Sequence, residues 1–343
     1  VGEDALLVLT NFASSIVLGP TNEASQSIFF LLTPADKSLF ATQPSINSLG
    51  TLVLKPAANV SGTHAVSVVL QDSGGSLLGG TNRSEAQTFN VVVTATNDPP
   101  TITVARSLAV NEDAGETNLT FTVTDVDSPL ANITVTATSS NTNLVANTNL
   151  VVNLAAGSGT VTFAPLADAN GQTTFTLTAT DDLSAKRTSL VTIAVNSVNE
   201  APSFTLSTNL VAVAKNAGLI RLTNFVTNIS AGPTNEAKQG LNFIVTVADT
   251  SVFTSRPTIS PAGMLSFKTT TNASGTVPID VVLLDTGGSL FGGTNRSDTQ
   301  SFNIFISTET TLAMSRTPAS SRASAAAAYF VSRPEPEGSG DQT

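Results

Sequence analysis

The chain has 343 residues, enough for two or three domains, and its lack of Cys excludes a disulfide framework and thiolate metal sites. Only 12% of residues are charged and 5% aromatic, with no Trp, which leaves no aromatic-interleaved binding surface. The formal net charge of −10 excludes nucleic acid or an anionic membrane as partner, since either requires a basic face.

Hydrophobic residues reach 41%, too many for a disordered chain, and runs of Val, Leu, Thr and Phe alternate with Gly, Asn and Pro. That pattern predicts an all-β fold. No run of ~18 apolar residues occurs, so no transmembrane segment is expected in this stretch. The sequence opens on Val1 without Met or signal peptide and reads as a piece of a longer protein.

Residues 1–97 form the first predicted unit. Val66, Val68 and Leu70 make an apolar column at period 2, and Gly74-Gly75 supply the turn after it. Only Val1 stands where an opening strand belongs, so the first strand is expected to be absent, leaving an exposed sheet edge.

Residues 98–202 form the second unit, bracketed by two similar joints, Asn97-Asp98-Pro99-Pro100 and Asn199-Glu200-Ala201-Pro202. Pro100 and Pro202 are 102 residues apart, close to the ~100 residues of an immunoglobulin-like sandwich. Leu119, Phe121 and Val123 alternate with Asn and Thr, as do Phe175, Leu177 and Ala179 with Thr. One apolar face and one threonine face suit a sandwich strand.

Residues 203–309 repeat the first unit. Gly19-Pro20-Thr21-Asn22-Glu23-Ala24 returns as Gly232-Pro233-Thr234-Asn235-Glu236-Ala237, and Gly79-Gly80-Thr81-Asn82-Arg83-Ser84 as Gly292-Gly293-Thr294-Asn295-Arg296-Ser297, both at an offset of 213. The organisation is A-B-A, the mark of a tandem array. Residues 310–343 turn to Ser, Arg, Ala, Pro and Glu; Ser320–Ser332 is expected as a short helix and the remainder as low-complexity linker or tail.

Acids stand at the ends of these apolar columns. Asp125 and Asp127 continue Leu119–Val123, Asp181 continues Phe175–Ala179, and Asp72 and Asp285 continue the columns of their own units. An aspartate in line with core side chains costs several kcal/mol if buried unpaired, so it belongs just past the sandwich end. Such residues commonly cap turns, which is the first reading for Asp72 and Asp285. Gathered carboxylates repel, and Ca²⁺, which takes 6–8 oxygens, relieves that repulsion.

On the Asn-Asp-Pro-Pro joint, the Asn111-Glu112-Asp113-Ala114-Gly115 start, the Asp125-x-Asp127 pair and the late Asp181, residues 1 to about 309 resemble the cadherin-like branch of the immunoglobulin-type sandwiches, above all the tandem repeats of large bacterial surface proteins. The resemblance implies three tandem sandwiches in a linear array with calcium held between consecutive domains. Carried onto this chain, the first joint would use Glu3, Asp98, Asp125, Asp127 and Asp181, with the Asn97 carbonyl as a further ligand. A weaker set at the second joint would be Glu112, Glu200 and Asp285. The chain departs from the cadherin pattern at Ala95 and Pro99 and shows no mid-domain Asp-Arg-Glu in its first unit, which implies one or two ions per joint rather than three. Unit three carries Lys215-Asn216 in place of the acidic start, and the place of Asp125 is read at Leu222–Phe225, where there is no acid.

His64 is the single histidine and Cys is absent, so no Ser-His-Asp or Cys-His arrangement can be built, and the chain is read as non-enzymatic. The functional expectation is an extracellular stalk or spacer of a bacterial adhesion protein, calcium-stiffened at least at its first joint. Two alternatives stand beside it: a module gripping a cell-surface protein or glycan with its repeated Gly-Pro-Thr-Asn-Glu-Ala and Gly-Gly-Thr-Asn-Arg-Ser loops, or accessory repeats of a secreted enzyme. Self-association along the array is a further expected partner mode.

Overall fold

The computed structural model describes residues 1–76, 80–309 and, as backbone, 329–331. Among these there is no α-helix; helical structure is limited to single 3₁₀ turns such as Thr21–Glu23 and Thr234–Glu236. The strands segregate into three groups, each around its own apolar core.

In the first unit β1 (Leu7–Leu9), β4 (Leu52–Pro56) and β3 (Phe40–Ile46) make one sheet, and β2 (Ile28–Pro34), β5 (Gly62–Asp72) and β6 (Gln87–Val93) the other. The middle unit sets β11 (Val151–Ala155), β12 (Ser158–Phe163), β9 (Thr117–Thr124) and β7 (Thr101–Val104) against β10 (Thr134–Ser139), β13 (Gly171–Thr180), β14 (Lys186–Asn196) and β8 (Ser107–Asn111). The third unit has the sheet β17 (Leu219–Leu222), β21 (Leu265–Thr269), β20 (Phe253–Ile259) and the pair β15 (Ser203–Leu206) with β18 (Val226–Ser230). Its other sheet runs β19 (Asn242–Val247), β22 (Gly275–Leu284), β23 (Gln300–Ile306), β16 (Leu210–Val213), β24 (Tyr329–Val331).

The parity of the sequence places the cores. Leu119, Phe121 and Val123 on β9 and Phe175, Leu177 and Ala179 on β13 are all buried, and so are Ile279, Val281 and Leu283 on β22. Period-2 alternation sends them inward and the threonines outward. The matching column of unit one thins toward its end: Val66 is buried, but Val68 and Leu70 are only half-buried.

The cause lies in what covers them. In unit three β16 pairs in parallel with β23, and β15 lies across β18. Among the described residues unit one has no strand corresponding to β15 or β16. On the edge of β6 away from β5, the described residues place Val1, whose amine donates to the Val92 carbonyl at 3.0 Å, and a parallel bridge between Gly2 and Thr94. The expected helix over Ser320–Ser332 falls outside the described residues except at Tyr329–Val331, and these form strand β24, not helix.

Leu177, fully buried on β13, packs with both sheets of its unit through the core around Phe163 and Phe175. Leu177→Ala should lower the stability of the middle unit by about 2–5 kcal/mol, whereas Val68→Ala in the open end of unit one should cost less. Thermal unfolding followed by hydrogen exchange on β13 and β5 would show the difference; equal effects would mean that the two columns are equally covered.

Candidate functional site

The acids of the first joint are drawn together by local backbone. Asp181 follows β13 directly, and its Oδ1 accepts the amides of Leu183 and Ala185 at 2.9 and 2.8 Å, closing the turn into β14. Its Oδ2 is left facing outward and accepts the Asn97 side-chain amide at 2.8 Å. Asp125 caps the turn after β9 through Oδ1, which accepts from the amides of Asp127 and Ser128. Asp127 Oδ2 in turn accepts the Asp98 amide at 2.7 Å. Glu3, 2% exposed, accepts the Thr96 amide at 2.7 Å. The linker is thus held by three acids: Glu3 before Asn97, Asp181 on its side chain, Asp127 after it.

The second joint grips its linker with the same three contacts. Glu112, also 2% exposed, accepts the Val198 amide at 2.7 Å, as Glu3 accepts that of Thr96. Asp285 Oδ1 accepts the Asn199 side-chain amide at 3.0 Å, where Asp181 takes that of Asn97 on Oδ2. The Glu200 amide donates to Glu236 Oε1 at 3.2 Å, in the manner of Asp98 to Asp127. Glu236 was not among the candidate ligands in the sequence. The reading that put the place of Asp125 at Leu222–Phe225 is corrected here. β7 pairs with β9, and β15 pairs with β18 rather than β17, so the loop matching Asp125–Asp127 follows Ser230 and contains Glu236.

The repeated loops of unit three are therefore internal to the joint. Gln239 donates to Asn199 Oδ1 at 2.7 Å, the Thr294 amide donates to the Asn199 carbonyl at 2.8 Å, and Asn235 donates to Glu112 across the interface at 3.3 Å. Gly287 and Gly293 leave room for Asn199, because a Cβ on either would overlap it.

Among the described residues no three His, Cys, Asp or Glu side chains are close enough to hold a metal ion as they stand. The donor chemistry nevertheless suits a hard cation: all are oxygens, and several are buried without a hydrogen-bond partner. At the first joint these are Asp125 Oδ2 and Asn97 Oδ1; at the second, Glu200 Oε2, Glu236 Oε2 and Asp285 Oδ2. Buried polar atoms ordinarily have partners, so an orphaned set converging on one linker marks a place for a cation or water. The repulsion shows in the acid strengths. Burial, reinforced by Glu236 and Glu112, pushes the Glu200 carboxyl up to about 7. Asp98 is raised too, by desolvation first and then by Asp4, Asp127, Glu3 and Asp125. Asp182, by contrast, is lowered by hydrogen bonds from Ser128 and Asn132 and stands apart from the clasp.

Two comparisons with known proteins bear on the chain. Residues 97–194 match the sequence profile of the bacterial Ig domain. None of the curated proteins matches. Among solved structures, domains 1–5 of Protocadherin Gamma B2 give a TM-score of 0.45 at 13% identity, covering 82% of this chain and 53% of that one. Human CDH23 EC21–23 gives 0.44 at 18%, covering 81% and 88%, and Drosophila N-cadherin EC1–4 gives 0.39 at 13%, covering 83% and 67%. The chain spans about half the length of the protocadherin fragment it matches. No helix among the described residues is long and apolar enough to cross a membrane.

Glu200 supplies a pH test on chelator-treated protein. Its folded pKa of about 7 lies above the unfolded value of 4.5, so the folded state binds the proton more tightly. The stability it contributes is full below about pH 4.5 and is lost as the pH rises toward about 7. Metal-free protein should lose thermal stability over that window, and Glu200→Gln should flatten the loss; an unchanged profile in the variant would remove Glu200 as its cause.

Proposed function

We propose that the chain is a non-catalytic spacer of an extracellular bacterial surface protein, its Ig-like repeats held in line by calcium at both joints. The observation that carries this reading is the repeated clasp, in which each Asn-acid linker is gripped by three acids while carboxylate oxygens beside it stay unpartnered. Calcium supplies positive charge and an oxygen-accepting coordination shell at a cost far below that of burying like charges alone. Glu3, Asp98, Asp125, Asp127 and Asp181 would hold it at the first joint, and Glu112, Glu200, Glu236 and Asp285 at the second.

A joint so neutralised resists bending, because moving either domain separates donors from a shared ion. The match of the middle unit to the bacterial Ig domain supports the spacer reading, as does the want of a nucleophile–base pair around the single histidine. Placement outside the cell is consistent with the calcium range of extracellular modules, ~10⁻⁴–10⁻³ M.

Calorimetric titration of the full chain with CaCl₂ should show two classes of site in that range. Asp127→Asn should remove the first class and leave the second; Glu236→Gln should do the reverse. Small-angle scattering should show the particle lengthen on calcium addition. Absence of any heat at millimolar calcium, or loss of both classes from one substitution, would overturn the assignment.

A further inference from the structure

The net charge of −10 is an average, and it hides a basic face on unit three. Residues 203–309 hold six acids and six bases, whereas residues 98–202 hold ten acids and three bases. Three of the six bases stand on one sheet: Arg221 on β17, Lys268 on β21 and Arg256 on β20. Neither these strands nor β15 and β18 of the same unit contain an acid. β21 lies between β17 and β20, and the register sets Leu219, Lys268 and Ser255 in one row and Arg221, Ser266 and Thr258 in the next. Residues directly opposite one another share a face. A β-bulge delivers Arg256 to it: three steps from Ser255 to Thr258 oppose the two from Lys268 to Ser266, and the extra residue leaves Arg256 exposed.

The near-copy in unit one shows that the fold does not require these charges. At the offset of 213, Val8, Val53 and Gln43 hold the places of Arg221, Ser266 and Arg256, and only Lys268 has its equal, in Lys55. Gln43 spends its carboxamide on its own chain, donating to the Lys37 and Phe40 carbonyls at 2.8 and 3.0 Å. Arg221, Arg256 and Lys268 are exposed, and none of their side chains meets an acceptor or a carboxylate among the described residues. Three unpaired like charges on adjacent strands repel one another, and an anion laid across them relieves that repulsion. Guanidinium forks take flat oxyanions edge-on through paired N–H donors. Ser255 and Ser266 set hydroxyls between the cations, which suits a chain that carries hydroxyls as well as charge. Nucleic acid would want aromatic side chains to stack its bases, and the aromatics of these strands, Phe253 and Phe267, are buried.

We propose that the outer face of the β17–β21–β20 sheet binds an anionic polysaccharide, its carboxylate or sulfate groups pairing with Arg221, Arg256 and Lys268 and its hydroxyls with Ser255 and Ser266. The acidity of the rest of the chain repels such a polymer and confines the contact to this face. None of these residues belongs to a joint, so the binding holds with or without calcium.

Sodium polygalacturonate and dextran sulfate are the carboxylate and sulfate probes, titrated into the full chain in EDTA so that no calcium bridges protein and polymer. At least one should bind at low salt and weaken with a log–log slope of about −2, the counterion release of three neutralised charges on a flexible polyanion. The polymer that binds more tightly names the acidic group. Arg221→Val with Arg256→Gln, the residues that unit one carries, should weaken binding about tenfold and bring the slope to about −0.7 while thermal unfolding stays unchanged. Failure of both polymers to bind at low salt, or equal binding by the double variant, would overturn the proposal. So would single-stranded DNA bound as tightly as the better polysaccharide, or salt-sensitive self-association that the double variant abolishes, because either gives the face a different occupant.

Discussion

Asn97 and Asn199 each thread a neutral carboxamide between acids that could not otherwise share the space. A carboxamide donates through its nitrogen and accepts through its oxygen, so it can enter a buried polar pocket at no charge cost. Asn199 uses both ends, donating to Asp285 and to the Thr294 carbonyl and accepting from Gln239. An aspartate there would place another negative charge against Asp285. The direction of the chain at each joint follows from this residue, since the acids after it and the backbone before it are held by groups on opposite sides.

The acids of the clasp are held by the ends of the core columns. β13 delivers Asp181 and β22 delivers Asp285 as the next inward-facing step after a run of buried apolar side chains. Each is then 6% exposed: Asp181 closes its turn through Oδ1 and takes the Asn97 carboxamide on Oδ2, whereas Asp285 Oδ1 accepts both the Gly287 amide of its own turn and the Asn199 carboxamide, leaving Oδ2 unpartnered. The choice between turn cap and linker contact dissolves: the same carboxylate closes its own turn and also holds the linker asparagine. What remains is repulsion, gathered at the two joints: around Glu200 with Glu236 and Glu112, and around Asp98 with Asp4, Asp127, Glu3 and Asp125.

Much of this was legible in the sequence. Alternation fixed which side chains of β9, β13 and β22 point inward, because a period of two leaves no second solution once one face is apolar. The near-identical joints marked the linkers, and parity singled out Asp181 and Asp285. Glu236 escaped for a geometric reason. It sits on no strand, so parity says nothing of it, and the single strand β9 of the middle unit is matched in unit three by β17 and β18 in succession, which disguises which strand precedes its loop. The signal was present in another form: a glycine, a proline and a glutamate within a Gly-Pro-Thr-Asn-Glu-Ala stretch kept whole in two units.

That triplet has a mechanical logic. Gly232 has φ +155, and a Cβ on it would collide with the Glu236 carboxylate. Pro233 precedes the 3₁₀ turn Thr234–Glu236 in extended conformation, and its carbonyl receives the Glu236 amide at 3.0 Å. The glycine therefore makes room for the glutamate of the same turn to bend back, and the turn aims that carboxylate at the linker amide. Asp127 does the same work from a tight Asx turn directly after its strand. A longer side chain on a longer loop reaches the same point, which is why two loops without sequence similarity grip their linkers alike. In unit one Gly19 has φ +122 and makes the same allowance for Glu23. The same pairing of a left-handed glycine with a bent-back glutamate thus recurs on the 3₁₀ turn of each unit that carries the repeat.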